Sequence, residues 1–143
     1  MNRFRPTIRI VLVSFLLIVG VPVVGSWARR NQAPRCTLDG QEIVPTFAVR
    51  VTDRAGTSHR FCCIRCAERW LDRNDVRSAT VVVTDEVTGT ELDARAAVFV
   101  RSRVVTNRIT ENRVHAFRDM ADAVAHTREF GGRILGPDER PFE

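Results

Sequence analysis

The chain has 143 residues, 22 basic against 17 acidic, a net charge of +5, and no lysine, so all 22 basic residues are arginine. Without a lysine amine, neither a P-loop nucleotide site nor Schiff-base chemistry can be built. Residues 1–35 hold six arginines and no acid, whereas residues 36–143 hold 16 arginines and all 17 acids; the basicity (+6) sits in the N-terminal segment, the remainder sums to −1, and no nucleic-acid footprint is left on the folded part.

Between Arg9 and Arg29 lie 19 uncharged residues, Ile10 to Ala28. That is close to the roughly 20 needed to span a hydrocarbon core as a helix. A transmembrane helix over about 10–28 is predicted, with a cleaved signal as the alternative, because Val23-Val24-Gly25 and Ser26-Trp27-Ala28 have small residues where a signal peptidase cuts. Arg3, Arg5 and Arg9 hold the N-terminus in the cytoplasm. The rest is then exported: an inner-membrane protein with its soluble domain in the periplasm or outside the cell. Residues 1–35 read as anchor and linker, 36–137 as one small domain, and 138–143 as a tail.

In chain order, Phe47 to Thr52 and Ser58 to Phe61 are predicted strands joined by the turn Asp53-Arg54-Ala55-Gly56. Cys63, Cys66, Ala67, Trp70 and Leu71 follow at the spacing of a helix with one apolar face. Ala79 to Thr84 reads as a buried strand closed by Thr88-Gly89. The order then repeats. Ala97 to Val100, running on toward Val105, and Val114 to Phe117 are strands, Asp119 is the N-cap of a helix carrying Met120, Val124 and Thr127, Gly131-Gly132 stops it, and Arg133 to Leu135 is a closing strand. At an offset of 56 residues, His59-Arg60-Phe61 matches His115-Ala116-Phe117. The fold class is α+β, a tandem of two β-β-α-β units in one domain.

The four cysteines occupy a 31-residue window, as Cys36-Thr37-Leu38-Asp39-Gly40 and Phe61-Cys62-Cys63-Ile64-Arg65-Cys66. The second motif ends a strand and opens a helix, where free N–H groups, the helix dipole and Arg60, Arg65 and Arg69 are expected to make the thiols acidic. Cys63 and Cys66, one turn apart, chelate one ion, with Cys36 and Asp39 as a knuckle-like partner. Thiolates with few histidines suit Cu(I) first and Zn(II) second, and argue against hard ions. A closed site of four cysteines needs Cys62 to turn inward, and adjacent cysteines in an extended segment point to opposite faces. Two plainer readings stay open: two disulfides stapling an exported domain, or thiols that merely fill a core. His59 and His115, each just before a helix, are read as surface or core residues ahead of ligands, and His126 is given no metal role.

The runs Val83-Thr84-Asp85-Glu86-Val87-Thr88-Gly89-Thr90-Glu91-Leu92-Asp93-Ala94, Ala97-Val98-Phe99-Val100, Asn112-Arg113-Val114-His115-Ala116-Phe117 and Phe130-Gly131-Gly132 resemble the NosL family, accessory copper-binding proteins of nitrous oxide reductase. The resemblance covers nearly all of residues 36–135. It implies an exported, membrane-attached metallochaperone that binds Cu(I) and hands it to a periplasmic client metalloenzyme, a nitrous oxide reductase or a similar one. Of the family's first motif only Cys36 matches; the candidate metal ligands read from the motifs themselves are Cys36, Cys62, Cys63 and Cys66, with Asp39 as a further ligand or a group supporting one. Departures are specific. Where the family carries C-x-x-C-G-M, this chain has Asp39 and Gln41 in place of the second cysteine and the methionine, and Thr106-Asn107-Arg108-Ile109 stands where the family often has T-P-M-G. A second resemblance, of Cys36-Thr37-Leu38-Asp39 and Phe61-Cys62-Cys63 to the catalytic segments of organomercurial lyase, implies an enzyme in which Cys36 and Cys62 hold mercury and Asp39 protonates the departing carbon.

Overall fold

Along Val49-Arg50-Val51-Thr52 the apolar residues alternate, which places Val49 and Val51 on one face of a strand, and both are buried. This strand, β1 (Val49–Thr52), pairs antiparallel with β2 (Ser58–Phe61) across a turn in which Gly56 takes φ +82° and Asp53 Oδ1 accepts the Thr57 N–H. The computed structural model describes residues 33–74, 76 and 79–142, and the unit from Pro34 onward is described by itself. The segment read as a membrane anchor, 10–28, lies outside the described residues; among these no helix is long and apolar enough to cross a membrane.

Helix α1 (Ile64–Asn74) follows β2, buries Ile64, Cys66 and Ala67, and turns Arg65, Arg69 and Arg73 to solvent. Its last turn is closed by the Asn74 amide donating to the Trp70 carbonyl at 2.7 Å. Strand β3 (Thr80–Thr84) pairs with β1, and β4 (Glu91–Asp93) pairs with β3, giving a four-stranded antiparallel sheet in the order β2-β1-β3-β4. Val49, Val51, Phe61, Val81, Val83 and Leu92 form its inner face. The second half contributes β5 (Val98–Ser102), β6 (Val114–Phe117), helix α2 (Met120–Phe130) and β7 (Gly132–Ile134), with a three-stranded sheet ordered β6-β5-β7. The domain is therefore α+β, with two antiparallel sheets and two helices.

One core runs through both halves: Phe99, Ala97, Ala116 and Leu135 pack in the same cluster as Val49, Val51, Phe61 and the four cysteines. The backbone N–H of Glu86 bonds the Ala116 carbonyl at 3.1 Å, joining the two sheets. A smaller cluster, Val100, Phe117 and Ala123, lies beneath α2.

Three features differ from the sequence-based expectation. Phe47 ends a 3-10 turn (Pro45–Phe47) instead of opening β1, since Pro45 fixes a φ suited to the turn. Strand β4 was not expected, because three residues carry too little periodicity to be read. Asp119 holds the N-cap position of α2 but its side chain makes no capping bond. Near the C-terminus Arg140 donates to the carbonyls of Ala94, Arg95 and Ala97 at 3.1, 2.8 and 3.0 Å, and Phe142 meets the Phe99 ring edge-on. The glycine stop is where expected. Gly131 takes φ +72° and donates to the Thr127 carbonyl. Gly132, at φ +116°, lies so close to β5 that a Cβ there would stand 2.2 Å from the Arg101 carbonyl oxygen.

Candidate metal centre

The first cysteine motif is a tight turn on a two-rung ribbon. Arg35 bridges Glu42, the Cys36 N–H bonds the Gln41 carbonyl at 2.8 Å, and the Gly40 N–H returns to the Cys36 carbonyl at 2.9 Å. Gly40 sits at φ +72°, a conformation open to glycine at no steric cost, which accounts for Gly after Asp39. Asp39 Oδ1 accepts the Gln41 N–H at 3.0 Å and so fixes its own carboxylate. The Thr37 N–H bonds the Arg60 carbonyl at 2.8 Å, tying this knuckle to β2 just before the second motif.

At that second motif the chain leaves the strand. Cys62 and Cys63 form a bend between β2 and α1, and both are buried. The Cys62 sulfur lies 3.6 Å from that of Cys66 and 3.6 Å from Asp39 Oδ2, and Cys66 Sγ lies 3.2 Å from the same carboxylate oxygen. With Cys36 these make a group of four whose ligand atoms all fall within 4.8 Å of one another. Cys63 is outside it, its sulfur 3.3 Å from Thr110 Oγ1. Of the five residues singled out from sequence, the fold thus gathers Cys36, Asp39, Cys62 and Cys66, and pairs Cys66 with Cys62 at i+4, where the sequence suggested Cys63.

The donor set fits a soft ion. Metal–sulfur bonds of about 2.3 Å at tetrahedral angles separate two sulfurs by roughly 3.8 Å, and the Cys62–Cys66 separation is 3.6 Å. Three sulfurs and one oxygen suit Cu(I) or Zn(II). The three cysteines of the group are buried and Asp39 is partly exposed, so the carboxylate is the solvent-facing member of the group. All four cysteines are free thiols, and none is disulfide-bonded.

Electrostatics correct the expectation of uniformly acidic thiols. The Cys62 thiol is pushed up, first by its hydrogen bonding with Cys63 and then by burial, and the Cys66 thiol is pushed up by its contacts with Cys62 and Cys63 and by burial. Cys63 is lowered because Cys62, Cys66 and Thr110 donate toward it. Burial raises Asp39, but hydrogen bonds from Cys36, the Gln41 backbone, Cys66 and Cys62 outweigh it and hold the carboxyl below its usual range. The physical reason is mutual: four groups that each carry negative charge when ionised share one small volume, so only part of them ionises without a cation. The expected arginines do not intervene. Arg65 and Arg69 are exposed, and Arg60 lines a cavity of about 290 Å³ on the outer face of the first sheet, with Arg50, Val82 and Glu91, and none of the four clustered residues is among those lining it.

Two residues of this neighbourhood are not among the site residues expected from the sequence. The loop between β5 and β6 comes over the second motif, where the Asn107 amide donates to Cys62 Sγ at 3.1 Å and Thr110 meets Cys63. Their separation of more than 40 residues from the cysteines hides them from pattern reading; the only clue was that Thr106–Ile109 occupies a segment singled out in the family resemblance. The histidines stay outside. His59 stacks on Trp70 with centroids 4.3 Å apart and faces Asp53. His115 is buried with both ring nitrogens engaged, Nδ1 with Glu86 at 2.8 Å and Nε2 with the Val104 carbonyl at 3.2 Å, and His126 stacks on it.

The fold is similar to that of a solved structure, the crystal structure of the copper chaperone NosL from Shewanella denitrificans, with a TM-score of 0.64 and 21% sequence identity over 74% of this chain and 88% of that one. The chain therefore has a NosL-like fold, as the sequence resemblance implied. No protein-family model and no curated protein matches it.

Proposed function

We propose that this protein is a metallochaperone that carries Cu(I) in the site made by Cys36, Cys62 and Cys66, with Asp39 as the fourth, exchangeable donor. The observation that carries the reading is the convergence of three buried thiols and a carboxylate, from two separate segments, within 4.8 Å. The likeness of the fold to a protein described as a copper chaperone supports the choice of metal and of role. Cu(I) is the cargo. It prefers the three soft sulfurs, and the hard carboxylate is the weakest partner and the most accessible, so a soft ligand from a client enters by displacing Asp39. Zn(II), which accepts oxygen as well as sulfur, is the competing ion. The uncharged segment 10–28 supports tethering to the inner membrane, with delivery to a periplasmic client metalloenzyme, a nitrous oxide reductase or a similar one. Competition of the reduced protein against a Cu(I) chelator tests the site: one tightly held Cu(I) per chain, lost in Cys62→Ser and Cys66→Ser but kept in Cys63→Ser, is the expected result. Equal affinity in wild type and both ligand variants would end the proposal.

One arrangement favours a second reading as an enzyme. Asp39 lies 3.6 Å from the Cys62 sulfur and accepts from Cys66, as a carboxylate that relays a proton from a thiol to a departing carbon must. An organomercurial lyase activity would release hydrocarbon from an organomercurial in excess thiol and lose that activity in Asp39→Asn. No turnover by the wild type dismisses it.

A further inference from the structure

The loop joining β5 to β6 belongs to the second half of the domain, yet it places one side chain against a sulfur of the metal centre. Asn107 is held at both ends of its amide. Its Oδ1 accepts the N–H groups of Ile109 and Thr110 at 2.9 and 3.1 Å, which leaves Nδ2 turned toward Cys62 Sγ at 3.1 Å. The loop itself is braced: Asn107 bridges Asn112, the Thr106 N–H bonds the Asn112 carbonyl at 2.9 Å, and the Asn112 amide donates to Thr106 Oγ1 and to the Val114 carbonyl at 2.7 and 2.9 Å. An amide nitrogen donates and cannot ligate, so Asn107 engages the sulfur with an N–H and leaves ligation of an ion to Cys62 together with Cys36, Cys66 and Asp39.

We infer that Asn107 is a positioning residue of the metal centre, aiming the Cys62 sulfur at the ion by its N–H···S hydrogen bond and withdrawing electron density from that sulfur. The inference rests on the reading of Cys36, Asp39, Cys62 and Cys66 as a metal site. It also assigns the second half of the domain a part in a centre whose ligands all come from the first. Groups that orient a ligand in this way typically change metal affinity 10–100-fold when removed.

The test separates this role from mere loop support. Asn107→Asp keeps an oxygen to accept the Ile109 and Thr110 N–H groups but has no N–H for the sulfur, and Asn107→Ala removes both. The full chain in mild detergent, reduced and anaerobic, is titrated with Co(II) to read sulfur-to-metal charge transfer and with Cu(I) against a chelator. The expected result is that both variants move the charge-transfer band to lower energy, since an unbonded sulfur gives up its electron more readily, and both lose about 10–100-fold in Cu(I) affinity. A band and affinity unchanged in Asn107→Asp, with only Asn107→Ala altered, would reduce Asn107 to a loop support and overturn the inference; a change in Asn107→Asp alone would trace to the added charge and overturn it as well. Absence of any charge-transfer band in wild type would instead remove the metal reading itself, and this inference with it.

Discussion

The two halves of the domain are built alike and are chemically unlike. β2 and β6 lie 56 residues apart, and so do α1 and α2, each 11 residues long. At the same offset His59 and Phe61 pack on Trp70, and His115 and Phe117 pack on His126, with centroid distances of 4.3 and 5.6 Å against 4.5 and 5.1 Å. One strand-to-helix clamp is thus used twice. At the bend that follows, the first half has Cys62 and Cys63, where the second has Arg118 and Asp119. There, the Arg118 N–H bonds Asp85, a fully buried carboxylate that also accepts the hydroxyl of Thr88 at 2.5 Å. The same junction therefore serves as a thiol site in one half and as a structural polar joint in the other. What differs is the chemistry placed on the scaffold, and substitutions should sort accordingly, by metal affinity in the first half and by stability in the second.

The largest effects are expected at the thiols. Cys36→Ser, Cys62→Ser and Cys66→Ser should each lower Cu(I) affinity by more than the roughly 100-fold upper range for a supporting group, whereas Cys63→Ser should change it only slightly; chelator competition reads both. Next is Asp85→Ala, which strands the Thr88 and Arg118 donors and should cost on the order of 3 kcal/mol in denaturant unfolding with Cu(I) affinity unchanged. His115→Leu leaves Glu86 and the Val104 carbonyl without their partner and should cost about 1–3 kcal/mol, against less than about 1 kcal/mol for His59→Leu at the partly exposed equivalent. A smaller effect is a pH dependence of stability. Burial, then the neighbouring His115, holds the His126 imidazolium below its ordinary range. The unfolded chain takes up that proton first, so stability is full above about pH 6.5 and falls as the pH drops through the folded value. His126→Phe should flatten the unfolding midpoint between about pH 7 and 5.5; an unaltered slope would assign the dependence elsewhere.

Much of the scaffold was legible because it is periodic. Val49 and Val51 alternate, the α1 face repeats every three to four residues, Gly56 and Gly131-Gly132 mark backbone that turns through positive φ, and the His-x-Phe match exposed the repeat. Trp70 and His126, which complete that match, share an offset but no residue type, so the correspondence shows only in three dimensions. Composition and spacing also pointed to the cysteine motifs and to Asp39. They could not say which of Cys62 and Cys63 faces Cys66, since this depends on where the strand ends: treated as extended, the pair diverges with Cys63 inward, but the bend begins at Cys62 and turns its sulfur toward Asp39. The acidity expected of the thiols holds at Cys63 and fails at Cys62 and Cys66 for a related reason. The arginines beside them in sequence point outward, and the groups beside them in space are other thiols. Asn107 and Thr110 were invisible because a loop from the other half brings them in.

The most direct test of the central claim, that Cys36, Asp39, Cys62 and Cys66 form one soft-metal site, is anaerobic Cu(I) loading of the reduced full chain, read by chelator competition and by copper X-ray absorption, for wild type, Cys62→Ser and Cys63→Ser. The account predicts one Cu(I) per chain in a sulfur-dominated shell for wild type and Cys63→Ser, and loss of that copper in Cys62→Ser. Copper retained in Cys62→Ser but lost in Cys63→Ser, or no bound copper in wild type, would contradict it.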